Sequence, residues 1–184
     1  MANSFHRWFR VDKAYYCVPP KCGGSAFYLW MTLQAGMTVP ERWLRTAATA
    51  INPPLSITKI GEGEGKKFLA IREPVDRFYS LWRSKCRDGD HAVNQAWMKG
   101  LSMDELLDHI EQYPFGNAHW APLYSWLVPG CRLIHYKDLG KILKYDLKVN
   151  TSNIQNSDPE VPIDRVKQLY QRDVDLWRRM NGKV

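Results

Sequence analysis

The chain has 184 residues, 45% of them hydrophobic and 24% charged, a balance that supplies a core for one globular domain and excludes a disordered or low-complexity protein. Its formal net charge of +7 favours an anionic partner (a nucleotide, a sulfated or carboxylated glycan, nucleic acid or a membrane surface) without choosing among them. No apolar run reaches a membrane span or a signal peptide, and Cys17, Cys22, Cys86 and Cys131 form neither a C-x-x-C pair nor a zinc-spaced set with histidine; the expectation is a soluble cytoplasmic protein with reduced thiols and no metal.

Residues 14–18 are a short, β-prone run halted by Pro19-Pro20, which reads as a buried strand. The loop Lys21-Cys22-Gly23-Gly24-Ser25 follows, and Phe27, Trp30, Met31 and Leu33 then fall at helical spacing over 26–33, with Ser25 as the expected N-cap. A second helix is expected over 41–50, stopped by Asn52-Pro53-Pro54, with 61–65 a glycine-rich connection. Residues 67–71 read as a second apolar strand ending at Arg72, with Pro74 at the first position of a helix running to about Lys85. Two helices follow, over 92–98 and 103–112, the latter opened by Ser102 and Glu105 at capping-box spacing. Residues 131–136 are a third strand, 138–144 a short helix, and 162–180 one long amphipathic helix.

Strand, loop and helix in alternation predict an α/β fold, a P-loop-like three-layer arrangement with a central, largely parallel sheet flanked by helices, in one domain over 1–184. Such sheets bind ligands at the carboxyl ends of their strands, where both notable loops fall.

In the first loop, Pro20-Lys21-Cys22-Gly23-Gly24-Ser25-Ala26, glycines admit close backbone approach, a helix N-terminus adds partial positive charge, and Lys21 adds a full one. That suits a phosphate or phosphosulfate; the competing reading is a plain glycine turn. It is not a Walker A loop, whose Lys follows the glycines, nor a Cys-x5-Arg phosphatase loop, since Tyr28 stands six residues after Cys22. In the second stretch, Arg72-Glu73-Pro74-Val75-Asp76-Arg77-Phe78-Tyr79-Ser80-Leu81-Trp82, the Arg72 guanidinium and Ser80 hydroxyl, two helical turns apart, can converge on one phosphate. Otherwise Arg72 pairs with Glu73 or Asp76 and Ser80 faces solvent.

Taken together, a lysine-first glycine loop after one strand and R-E-P-x-x-R-x-x-S-x-W after a later one resemble the sulfotransferases that use 3′-phosphoadenosine 5′-phosphosulfate (PAPS), most closely their carbohydrate branch. Three further segments fall in the family's order: His119-Trp120-Ala121-Pro122, Tyr136-Lys137-Asp138-Leu139, and Tyr170-Gln171-Arg172-Asp173. The resemblance implies that Lys21, Cys22, Gly23, Gly24, Ser25 and Ala26 hold the 5′-phosphosulfate and that Arg72 and Ser80 hold the 3′-phosphate. It implies sulfuryl transfer to a hydroxyl or amine, possible without a bridging metal because the transferred group carries less charge than a phosphoryl. Relatives place a His or Glu between the two loops as base; no His lies there in this chain, which leaves Glu41 and His119 as candidates, His119 preferred, with Lys21 stabilising the leaving group.

Two other classes remain open on sequence. A P-loop-like nucleotide kinase shares the sheet and anion loop but predicts magnesium-dependent ATP binding, and a non-catalytic basic module predicts steeply salt-dependent binding to nucleic acid or sulfated glycan. No arginine stripe or stacking motif supports nucleic acid. Acceptor-binding loops are expected within 34–66 and 86–130, where Trp43, Trp97, Trp120 and Trp126 can either stack on sugar rings or serve the core. The sequence carries no signal of oligomeric state.

Overall fold

The computed structural model describes residues 7–40, 43–55, 60, 65–89, 93–145 and 158–182. The chain divides into two compact units, one formed by 1–71 with 126–151 and the other by 72–125 with 152–184.

The first unit holds a four-stranded sheet in the order β1 (Trp8–Val11), β2 (Ala14–Cys17), β3 (Lys66–Ile71), β4 (Cys131–His135). The two pairings β2 with β3 and β3 with β4 are parallel, as expected; β1 with β2 is an antiparallel hairpin that was not expected. Its register, Trp8 opposite Cys17 and Val11 opposite Ala14, leaves Asp12-Lys13 as a two-residue turn, with Asp12 at φ 52°. Such turns need left-handed residues, and Asp tolerates that region. The outer side of β1 is covered where the Leu55 N–H donates to the Trp8 carbonyl at 2.8 Å. The opposite edge, β4, is only partly buried, with Arg132 exposed at its second position.

Helices α1 (Gly24–Gln34) and α2 (Leu44–Ile51) pack in this unit. Phe27 of α1 is fully buried and meets the Phe9 ring edge-on at 5.7 Å, while Tyr16 stacks on Phe68 at 5.2 Å. Aromatic area therefore supplies much of this core. After β4 the chain forms a 3-10 turn (Tyr136–Asp138) and the short helix α5 (Leu139–Ile142).

In the second unit, α3 (Pro74–Trp82) continues as a π-helical turn, Arg83–Arg87. Pro74 occupies the first helical position as expected, and the Glu73 carboxylate accepts the Asp76 N–H at 2.7 Å, capping the helix. A 3-10 helix (Val93–Met98) leads to α4 (Met103–Gln112), whose capping box of Ser102 and Glu105 is present on both sides. Asp104, Asp108 and Glu111 on α4 all pair with Arg165. The core gathers Phe78, Leu81, Trp82, Leu106, Leu107, Ile110, Trp120, Val166 and Tyr170. The Asp158 carboxylate accepts from both the Tyr79 hydroxyl and Arg87, tying its segment to α3.

The single closing helix expected over 162–180 is two helices, α6 (Ile163–Leu169) and α7 (Gln171–Met180). Tyr170 at φ −106°, ψ 30° leaves the helical region. The break opens a new first turn at Gln171 and puts Asp173 in it, where a helix N-terminus favours a carboxylate. No helix among the described residues is long and apolar enough to cross a membrane.

Candidate functional site

Because β2 and β3 are adjacent and parallel, with Cys17 opposite Leu69, the chain leaves both strands at the same edge of one sheet. From β2 it enters a tight turn: the Cys22 N–H donates to the Pro19 carbonyl at 3.0 Å, with Pro20 and Lys21 at the turn's centre and Lys21 at φ 68°. A positive φ at this position is glycine's usual place, so a lysine here carries backbone strain of about 1–2 kcal/mol.

Gly23, at φ 88°, is the N-cap of α1 and makes no side-chain cap, and no acidic residue stands in the first turn. This corrects the expectation for Ser25, which lies inside the helix; the left-handed glycine lets α1 begin two residues earlier. The first intrahelical bond runs from the Phe27 N–H to the Gly23 carbonyl at 3.0 Å. The N–H groups of Gly24, Ser25 and Ala26 thus precede the helical ladder, and with no acidic residue in the first turn they suit an anion. A side chain at Gly23 would meet Leu139 at 3.5 Å and the Tyr136 ring at 3.7 Å, so the Tyr-x-Asp-Leu segment packs against the anion loop. Cys22 is buried, and none of the four cysteines is in a disulfide. Burial pushes the Cys17 thiol well up, that of Cys86 to about 12 and that of Cys131 to about 11, which disfavours their thiolate forms.

Arg72 directly follows β3 and is half-buried, while Ser80 is buried within α3 rather than turned to solvent. Glu73 is engaged as the helix cap, and burial raises its carboxyl above the usual range despite the Asp76 N–H.

Arg77, given no role on sequence, is only 4% exposed. Its Nη1 donates to the Ala121 carbonyl at 3.0 Å, and its Nη2 to those of His119 at 3.3 Å and Ala118 at 3.4 Å. The Tyr170 hydroxyl donates to the carbonyl between them, that of Trp120, at 2.8 Å. Asp173, 3% exposed, accepts from the Leu123 N–H at 2.7 Å and the Tyr124 N–H at 2.9 Å. Burial raises the Asp173 carboxyl, opposed in part by Arg77 and these N–H groups. The His-Trp-x-Pro and Tyr-x-x-Asp segments are therefore bonded to each other.

His119 is half-buried, its N–H donating to Asn117 Oδ1 at 2.9 Å, and it shares a narrow crevice with Arg77, Tyr170 and Asp173. Glu41, the other candidate base, lies outside the described residues, as do Glu62, Glu64, His6 and His91. His109 packs at a tilt against Trp97, ring centroids 4.4 Å apart, and His135 caps the turn after β4 by accepting the Lys137 N–H. Of the tryptophans weighed as sugar platforms, Trp120 and Trp126 are core, whereas Trp43 and Trp97 are about half exposed.

A protein-family model described as the sulfotransferase family matches residues 8–153, most of the chain. No curated protein and no solved structure matches it significantly.

Proposed function

The chain belongs to the sulfotransferase family, and from that premise we propose that it transfers a sulfuryl group from PAPS to a hydroxyl or amine, on a carbohydrate acceptor, by in-line displacement without a metal. The whole chain, 1–184, serves as one sulfotransferase-like domain in this reading. The observation that carries it is in the sheet: β2 and β3, the strands that precede the lysine-first glycine loop and Arg72, are parallel neighbours and end in the same direction.

When bound, PAPS supplies the activated sulfuryl group; the chain's own residues bind, orient and move a proton. Lys21 and the N–H groups of Gly24, Ser25 and Ala26, with Cys22 and Gly23 shaping the loop, hold the 5′-phosphosulfate and oppose charge gathering on the leaving oxygen. A helix start with no side-chain cap and no acidic residue in its first turn fits that anion. Arg72 and Ser80 hold the 3′-phosphate. His119, in preference to Glu41, accepts the acceptor's proton.

Thermal denaturation with adenosine 3′,5′-bisphosphate tests the reading. A ligand at ~100-fold its dissociation constant adds about 2.7 kcal/mol of stability, so the melting temperature rises; no shift up to millimolar ligand overturns the assignment, and a shift with magnesium ATP alone moves it to a nucleotide kinase. Arg72→Ala removes a charged hydrogen-bond partner worth about 1.5–3 kcal/mol, roughly 10–150-fold in affinity for the bisphosphate, and leaves adenosine 5′-monophosphate unchanged. Equal losses for both nucleotides remove the role given to Arg72.

A further inference from the structure

We propose that Arg77, Tyr170 and Asp173 are positioning residues that fix the backbone of 118–124, and through it the His119 imidazole, and that Arg77 takes no part in anion binding although it stands in the arginine-bearing stretch. The proposal rests on the reading of His119 as the acceptor-side base.

Four consecutive carbonyls, those of Ala118, His119, Trp120 and Ala121, accept hydrogen bonds from just two side chains, Arg77 and Tyr170. The next available donors, the N–H groups of Leu123 and Tyr124, go to the Asp173 carboxylate. Irregular backbone has no ladder to satisfy its polar groups and must find partners elsewhere when buried. Here the partners come from 41 to 50 residues away and include two buried charges.

A buried arginine and a buried aspartate are a costly way to order a loop, since each must be desolvated. That cost is usual where a functional side chain must be held within a fraction of an ångström by its supporting shell. A guanidinium suits the task because its rigid planar fork reaches several carbonyls at once, which a lysine ammonium does not. The same geometry turns the Arg77 donors toward these carbonyls rather than toward a phosphate. The charged and titratable groups sharing the crevice with His119 are Arg77 from α3, Tyr170 from the α6–α7 break and Asp173 from α7.

The test is a histidine NMR titration of the full chain, paired with adenosine 3′,5′-bisphosphate binding, in wild type, Arg77→Lys, Tyr170→Phe and Arg72→Ala. The expected result is that Arg77→Lys and Tyr170→Phe move the His119 Hε1 resonance and its titration midpoint while bisphosphate affinity stays within about twofold. Arg72→Ala should do the reverse. The proposal is overturned if Arg77→Lys weakens the bisphosphate as far as Arg72→Ala does, or if His119 titrates identically in wild type and both positioning variants. Should Arg77→Lys fail to fold, Tyr170→Phe, which removes one hydroxyl, decides the question. If wild type binds no bisphosphate, the donor reading fails, and the His119 titrations still support or overturn the positioning role.

Discussion

The loop after β2 and the segment 118–124 solve the same problem, holding irregular backbone still, by opposite means. The loop is made of local backbone: a proline turn, two left-handed residues at Lys21 and Gly23, and the uncapped start of α1. The 118–124 segment is made of distant side chains, Arg77, Tyr170 and Asp173, each reaching across at least 41 residues of sequence. On the proposed reading, the loop must leave its N–H groups open to a ligand and cannot fill them with side chains, whereas a segment that presents one imidazole has no such restriction.

The sharpest way to break this contrast is Arg77→Met. Removing the buried cation leaves three carbonyls without their donor and takes a favourable charge from the buried Asp173, and about 3–5 kcal/mol of stability should be lost in chemical denaturation; a loss under about 1 kcal/mol, the scale of an exposed ion pair, would make Arg77 incidental. Gly23→Ala probes the loop with a smaller effect. Because the nearest atom to an added Cβ is 3.5 Å away, the cost is conformational, about 1–2 kcal/mol for a left-handed residue.

Lys21→Gly should have the opposite sign in stability. Relief of the left-handed strain outweighs glycine's added unfolded-state freedom by up to about 1 kcal/mol, while bisphosphate affinity falls by roughly tenfold or more as the cation is removed. Stabilisation without loss of affinity would make Lys21 a turn residue only.

The smallest effect is a pH dependence. Burial raises the Asp173 carboxyl in the folded state, so its contribution to stability is full below the ordinary carboxylate range and is lost as pH rises through the raised value. The stability difference between wild type and Asp173→Asn should therefore shrink with rising pH across that window. A difference that stays constant would mean that Asp173 keeps its unfolded-state affinity for protons.

The same contrast explains what could be read without coordinates. Pro74 as a first helical residue, the Ser102–Glu105 capping box, and strands β2, β3 and β4 are encoded within a few residues of themselves, and each is present. The β1 hairpin was legible in principle, since two β-prone runs flank Asp12-Lys13, but Asp-Lys lacks the glycine that usually marks such a turn. The break at Tyr170 was not legible: Val166, Tyr170 and Val174 keep helical spacing straight through it, and only the partners of Tyr170 and Asp173 on 120–124 reveal why a second helix start is useful. Arg77 was hidden for the same reason, because the carbonyls it serves lie 41 to 44 residues away and nothing in its own stretch marks them.

The two edges of the sheet differ in how they are finished, and this bears on solubility. β1 is bridged on its outer side by Leu55, whereas β4 is the last strand of the described sheet, the position at which a further strand can add. Arg132 stands exposed on that edge, where its charge repels a like copy of the same strand. A β-branched apolar residue at 132 would remove this guard and invite strand-to-strand aggregation of the folded protein, without touching any residue proposed to bind the donor.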